Sequence, residues 1–242
     1  MRIIAINAAP RMESGNTQAL LTPFLVGCRD KAAEVDIALL GRKKINTCVG
    51  CFNCFAETPG ICVQSDDMEA LIERIRLADM MVLATPVYLD GMTGLAKTFI
   101  DRLAPFLDPH FEMNEKTVLH PLRWKFPEKL FLLSVCGYPG LRNFEPLVLH
   151  MERLARNLHT NFCGSLLRPA AFSLLLRRKY PERVREVLDA VRTAGEEVAQ
   201  FGKVSETTLK AAAADICSTE ELVAMTNAYW DRQLEGPSDE AS

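Results

Sequence analysis

No apolar run in this 242-residue chain approaches the roughly 20 residues that span a bilayer, and the first residues, Met1 to Asn7, are too short for a secretory leader. These absences lead us to expect a cytoplasmic protein without membrane contact. An excess of positive charge is missing too. The 28 Lys and Arg stand against 31 Asp and Glu, a net charge of −3, which argues against a broad electrostatic grip on nucleic acid. The histidines, His110, His120, His150 and His159, show no His-x-x-x-His spacing, and no Gly-x-Ser-x-Gly elbow occurs. Zinc-protease and serine-hydrolase readings therefore have no support. There is no internal repeat and no low-complexity linker. What is present, 48% hydrophobic and 24% charged residues, suits one α/β domain with additions, able to bury an ordinary core.

Short apolar runs alternate with helical spacing along the chain. Arg2 to Asn7 reads as a buried strand that breaks into the turn formers of 8–16, and Leu20, Leu21, Phe24, Leu25 and Cys28 continue as a helix capped by Asn16 or Thr17. Further strands are expected at Val35–Leu40, Met80–Thr85, Leu130–Val135 and Asn161–Leu167. Helices are expected to open at Asp66-Asp67, where the two carboxylates act as caps, and to run over 93–107, over 144–158 and through most of 181–234. Residues 108–128 read as an insertion, Arg177-Arg178-Lys179 as a solvated basic segment, and Gly236–Ser242 as a disordered tail. Strands alternating with helices imply a doubly wound five-stranded parallel sheet in the flavodoxin order 2-1-3-4-5 over residues 1–203, with a helical C-terminal extension over 204–242.

In such a sheet the ligand lies beyond the carboxyl ends of the strands, where the loops after Asn7 and Thr85 meet. The first loop leads into a helix N-terminus, whose free N–H groups favour a phosphate, and Arg11, Asn16 and Thr17 add donors. Taken alone, that loop is equally an ordinary strand-to-helix connection. Read with the stretch from Pro86 to Arg102, it resembles the NADPH-dependent FMN reductase and iron-sulfur flavoprotein families. Those families carry a Gly-Ser-Pro-Arg…Gly-Asn-Thr loop and a Pro-x-Tyr…Leu-Lys…Asp-Arg segment. The likeness runs from Met1 to about Leu167. It implies that Arg11, Asn16 and Thr17, with Ala9 in the same loop, hold the FMN phosphate. It also implies that Pro86, Val87, Tyr88 and Leu89 border the flavin ring, and that Gly137 and Tyr138 form a third flavin loop. Ala8 and Ala9 replace the family's Gly and Ser, and the loop is one residue longer before Gly15, so a weaker phosphate contact is expected. Lys97 and the Asp101-Arg102 pair are either ligand contacts or helix-surface and packing residues.

Four of the eight cysteines crowd into 48–62. Cys48-x-x-Cys51-x-x-Cys54, followed by Cys62, offers four soft thiolates from one loop, a spacing that suits a 4Fe-4S cluster better than structural zinc. Metal-free redox thiols are the third possibility. The compact motif also resembles that of the iron-sulfur flavoproteins. Cys28, Cys136, Cys163 and Cys217 read as packing residues.

The expected function is therefore an FMN-dependent oxidoreductase of the iron-sulfur flavoprotein type, moving electrons between NAD(P)H or a ferredoxin-type partner, FMN and a 4Fe-4S cluster. One alternative is an NAD(P)H-dependent FMN or quinone reductase without a cluster, and another a non-enzymatic electron carrier or redox sensor. No side chain is expected to serve as a catalytic acid or base. The resemblance further implies a homodimer or homotetramer with flavin sites at subunit contacts.

Overall fold

The structure, a computed structural model, describes residues 1–114 and 117–235; the tail at 236–242 and two residues of the 108–128 insertion lie outside the described residues. Five parallel strands, β1 (Arg2–Asn7), β2 (Glu34–Leu39), β3 (Met80–Pro86), β6 (Lys129–Val135) and β7 (Asn161–Arg168), form one sheet in the order β2-β1-β3-β6-β7. Between β3 and β6 the insertion folds into an antiparallel ribbon, β4 (Glu112–Asn114) with β5 (Thr117–Leu119). With the ribbon left out, the order is the expected 2-1-3-4-5.

The three central strands each carry an unbroken apolar run, Ile3 to Ile6, Met80 to Ala84 and Leu130 to Leu133, because both their faces are covered. Ile4, Ile6, Met81, Leu83, Leu130 and Leu132 alternate onto one face. There they meet α2 (Met68–Arg76), α3 (Gly94–Asp101) and α4 (Glu145–Asn157). Ile3, Ala5, Val82, Ala84, Phe131 and Leu133 take the other face, against α1 (Asn16–Asp30) and α5 (Pro181–Phe201). The core on that second face also takes in Ala212 and Ile216, which close α6 (Glu206–Ala212) and the turn after it. The last described helix is α7 (Thr219–Leu234). Among the described residues no helix is long and apolar enough to cross a membrane.

Helices α1 and α5 touch backbone to backbone. A Cβ placed on Gly27 would lie 1.9 Å from the Arg192 carbonyl oxygen, and one on Gly195 would lie 1.9 Å from that of Phe24. Only glycine permits this approach, so Gly27→Ala must push the helices apart. It should cost about 2 kcal/mol, as overpacked core positions do, read as a lowered urea midpoint. Gly94→Ala, whose Cβ meets nothing within 4 Å, serves as the silent control.

Candidate functional site

The loops after β1, β3 and β6 leave the sheet at one edge. Asn7, fully buried, shapes the first of them: its Nδ2 donates to Gln18 Oε1 at 2.7 Å while its Oδ1 accepts from Ala9 N at 2.9 Å. A 3-10 turn at Met12–Ser14 then delivers the chain to Gly15, the N-cap of α1, with no side-chain cap bond. Asn16 and Thr17 are thus not the caps expected of them; they form the first helical turn, Thr17 buried within it. The amides of Asn16, Thr17 and Gln18 lack helical acceptors and face outward at the positive end of the dipole. They open onto a cleft of about 220 Å³. Ala9, Arg11, Asn16 and Thr17 line one side of it, and Pro86, Val87, Tyr88 and Gly137 the other.

Thr93 joins the β1 and β3 loops. Its Oγ1 donates to Ala8 O at 2.7 Å and accepts from Ala96 N, capping α3, while its own N–H donates to Thr85 Oγ1. Beyond Tyr88 the chain reverses through Leu89 and Asp90, both at positive φ (47° and 64°), closed by reciprocal backbone bonds between Tyr88 and Gly91. This turn leaves Leu89 fully exposed. Leu89 and Tyr138 line not the small cleft but an adjoining one of about 720 Å³, continuous with it through Val87, Tyr88, Gly137 and Phe172. The structure therefore gathers all ten expected flavin-loop residues around two connected clefts. Sequence reading missed Phe172, contributed by a 3-10 segment after β7, and, although it expected a helix there, the part of α7 in lining the cleft.

The cysteine loop is tied down at its base. Asp66 Oδ2 accepts from Asn46 N at 2.9 Å and from Arg102 Nη1 at 2.7 Å; Asp66 Oδ1 accepts from Arg102 Nη2 and from Met68 N. Arg102 Nη1 also donates to Asn46 O. Both side chains of this ion pair are buried, at 1% and 0% exposure. Burial pushes the Asp66 carboxyl up, but Arg102 and the two amides outweigh it and hold the group below its ordinary value. Asp67 Oδ2 accepts from Lys44 N at 2.7 Å. The two aspartates are thus chiefly loop anchors: Asp67 makes no side-chain cap bond, and of the two only Asp66 reaches a helix amide.

Within the loop Cys48 and Cys51 are exposed, and Cys54 and Cys62 half-buried. The Cys54 thiol is raised first by burial and then by Cys62, Cys48 and Cys51, so Cys54 lies within electrostatic reach of the other three sulfurs. Among the described residues no three His, Cys, Asp or Glu side chains converge tightly enough for a single ion. Gly60, at φ +81°, lies under Trp124, whose Nε1 a Cβ there would approach to 2.4 Å. The insertion thereby packs on the loop, and Arg76 lies 4.4 Å from the Trp124 ring centroid.

The remaining candidates settle as packing or surface residues. Lys97 pairs with Asp101 at 2.6 Å on the exposed side of α3. Cys28, Cys136 and Cys217 are buried, burial pushing the Cys28 thiol up to about 12. Cys163 is half-buried.

Sheet order and the loops at the carboxyl edge define a flavodoxin-like protein in which the start of α1 has no side-chain cap. The NADPH-dependent FMN reductase family matches residues 1–125, and the chain belongs to that family. An iron-sulfur flavoprotein of Archaeoglobus fulgidus is 39% identical over 106 residues, 44% of this chain and 47% of that protein. A putative NAD(P)H-dependent FMN-containing oxidoreductase, YwqN of Bacillus subtilis, is 47% identical over 104 residues, 42% of this chain and 53% of that one. The chain spans about half the length of the curated relatives it matches. Among solved structures, an FMN-dependent NADH-azoreductase from Bacillus anthracis in complex with FMN superposes with a TM-score of 0.59 at 13% identity, covering 82% of this chain and 97% of that one. An NAD(P)H:quinone oxidoreductase from Methanothermobacter marburgensis gives 0.57 at 14% identity, covering 82% and 96%. These two likenesses concern the fold.

Asp66→Asn leaves Arg102 buried without its counter-charge and should cost about 3–5 kcal/mol, against under about 1 kcal/mol for Asp67→Asn, whose ion-pair partner Lys43 lies 3.6 Å away in a more exposed setting. Because the folded Asp66 titrates below its ordinary 3.8, its stabilising effect is complete above that value and is lost as pH falls through the depressed one. Urea midpoints of the wild type and Asp66→Asn should therefore converge as the solution is acidified below pH 3.8. Curves that stay parallel would refute the assignment.

Proposed function

We propose that this chain is an FMN-dependent oxidoreductase that takes electrons from NAD(P)H and passes them on through a second redox centre, a 4Fe-4S cluster held by Cys48, Cys51, Cys54 and Cys62. The observation that carries the flavin half is the uncapped start of α1, opening onto a cleft walled by Pro86, Val87, Tyr88 and Gly137. FMN supplies a ring that accepts a hydride and releases its electrons singly or in pairs, and an iron-sulfur cluster handles one electron at a time. The chain's own residues bind and orient. Arg11 and the amides of Asn16, Thr17 and Gln18 meet the phosphate, Pro86 to Leu89 border the ring on one side, and Gly137 and Tyr138 do so on another.

Four thiols on one short loop, with Cys54 in electrostatic reach of the other three, support the cluster half, as do relatives named iron-sulfur flavoproteins. The second reading, a reductase whose cysteines hold no metal, is favoured by the 47% identity to a relative named for NAD(P)H dependence and FMN content. A ferredoxin-type partner and a homodimer or homotetramer with flavin sites at subunit contacts complete the proposal; a monomer in static light scattering would count against shared sites.

Anaerobic purification with counting of FMN, iron and sulfide separates these readings. The cluster reading expects about four irons per chain, lost in Cys54→Ser while FMN stays. Retained FMN with iron near zero and rapid NADPH oxidation selects the second reading, and a colourless protein that binds no FMN rejects both. Arg11→Ala removes one charge-assisted bond and should weaken FMN about tenfold in fluorescence titrations while leaving riboflavin, which has no phosphate, unaffected. Equal weakening of both would move Arg11 off the phosphate.

A further inference from the structure

Helix α7 lies outside the segment matched to the family, and its packing is unusual. Of its 16 residues only Leu222 is buried. Yet Leu222, Val223, Thr226, Asn227 and Trp230, spaced at i, i+1, i+4, i+5 and i+8, form one helical face, and all five line the 720 Å³ cleft. An amphipathic helix ordinarily lays such a face on a core; here it faces a void whose opposite wall is built from the flavin loops.

The helix is anchored rather than loosely laid there. Ser218 Oγ accepts from Glu221 N as its cap. Glu221 in turn accepts from Lys179 Nζ at 2.5 Å and from the Tyr180 hydroxyl at 2.7 Å. Just before α7, the fully buried Arg168 at the end of β7 donates to Ala214 O at 2.6 Å, to Ala212 O and to Ser173 Oγ. These bonds fix α7 to the sheet edge from which the flavin loops emerge.

The chemistry of the cleft narrows what fits. Its walls are largely apolar and aromatic: Tyr88, Tyr138, Phe172 and Trp230. Its polar groups are the amides of Asn143 and Asn227, the Thr226 hydroxyl and the Asp90 carboxylate, and among the described residues no Lys or Arg lines it. A cleft without a cation and with one carboxylate disfavours anions and suits an uncharged planar ring carrying hydrogen-bonding oxygens. Trp230 stands half-exposed at its mouth, its ring held edge-on by Tyr229 at 5.1 Å between centroids.

Resting on the flavin reading above, we infer that α7 forms the outer wall of the electron-acceptor site and that Trp230 is its specificity-determining residue, stacking on an uncharged planar acceptor. The test uses the full-length, FMN-loaded protein and two acceptors: 1,4-naphthoquinone, reduced to its hydroquinone by NADPH and one proton, and ferricyanide, a small multiply charged anion that takes single electrons. Trp230→Ala should raise KM for naphthoquinone about tenfold, leave ferricyanide reduction within about twofold and keep FMN content unchanged; Trp230→Phe should restore most of the naphthoquinone KM. Without NADPH, naphthoquinone should quench tryptophan emission saturably in the wild type, and this component should vanish in Trp230→Phe. Equal effects on both acceptors, or none on either, would overturn the inference. Loss of FMN from Trp230→Ala would also overturn it, by placing Trp230 in the flavin site itself. An FMN-loaded wild type that is not quenched rejects the acceptor site alone, whereas a wild type that neither binds FMN nor is quenched rejects the flavin reading with it.

Discussion

The buried Asp66–Arg102 pair is the interaction on which the geometry of both sites turns. Arg102 follows the last turn of α3 and Asp66 precedes the first turn of α2, so the pair locks two helices on one face of the sheet and closes the base of the cysteine loop between them. Two ions out of water are tolerated only when their remaining donors and acceptors are met. Here the Asn46 and Met68 amides and the Asn46 carbonyl meet most of them, leaving Arg102 Nε as the orphan. The opposite end of α3 begins at Thr93, which is bonded to the first flavin loop through Ala8 O. One helix of eight residues, about 12 Å long, thus has the flavin loops at its start and the cysteine loop at its end. In the proposed relay, α3 sets the separation of the two centres, and nothing bonded to it at either end is free to drift.

What could be read from the sequence, and what could not, divides along the range of the interactions. β1, β3 and β6 are legible because covering both faces of a strand demands an unbroken apolar run, a purely local signal. Arg11, Asn16 and Thr17 stand out because a turn-rich loop before an amphipathic run is local as well. Thr93 carries no such mark: its importance lies in reaching Ala8, 85 residues away. The capping expected of Asp66 and Asp67 holds only for Asp66, which accepts from the Met68 amide, and its larger role was hidden for the same reason. Two carboxylates ahead of an apolar run look like caps, and only the fold brings Arg102 to one of them and the Lys44 amide to the other. The expected caps of α1 failed in the opposite direction. Gly15 offers the helix no side chain, and that omission leaves the amides available to a ligand.

The role of α7 was least legible of all. Its face of Leu222, Val223, Thr226 and Trp230 has the periodicity of a core-facing helix, and periodicity does not distinguish a helix lying on a core from one lying on a cleft. The distinction comes from Arg168, whose guanidinium burial drives down to about 10. It is held by backbone carbonyls and a hydroxyl rather than by a bonded carboxylate. Such a costly anchor is difficult to explain if its only effect is to fix a surface helix, and easier if the position of that helix matters to the cleft.

Backbone strain gives an independent reading of the same map. Among the described residues seven non-glycine residues have positive φ, and four of them, Met12, Leu89, Asp90 and Ala170, lie in the loops around the two clefts. A fifth, Phe52 at φ 58°, lies between Cys51 and Cys54. Each left-handed L-residue costs on the order of 1–2 kcal/mol, and the cost is greatest where the side chain is bulky, as at Leu89 and Phe52. Neither side chain gains burial in return, since both are exposed. The conformation of Phe52 therefore follows from the path of the loop and not from its own packing: the chain must turn within two residues to bring Cys54 back toward Cys48, Cys51 and Cys62. A loop kept in that path at a cost, with nothing buried by the residue that bears it, has its shape set by something other than the packing of Phe52. The Leu89-Asp90 turn applies the same logic at the larger cleft: closed by Tyr88 and Gly91, it sets Tyr88, Leu89 and Asp90 along the cleft wall.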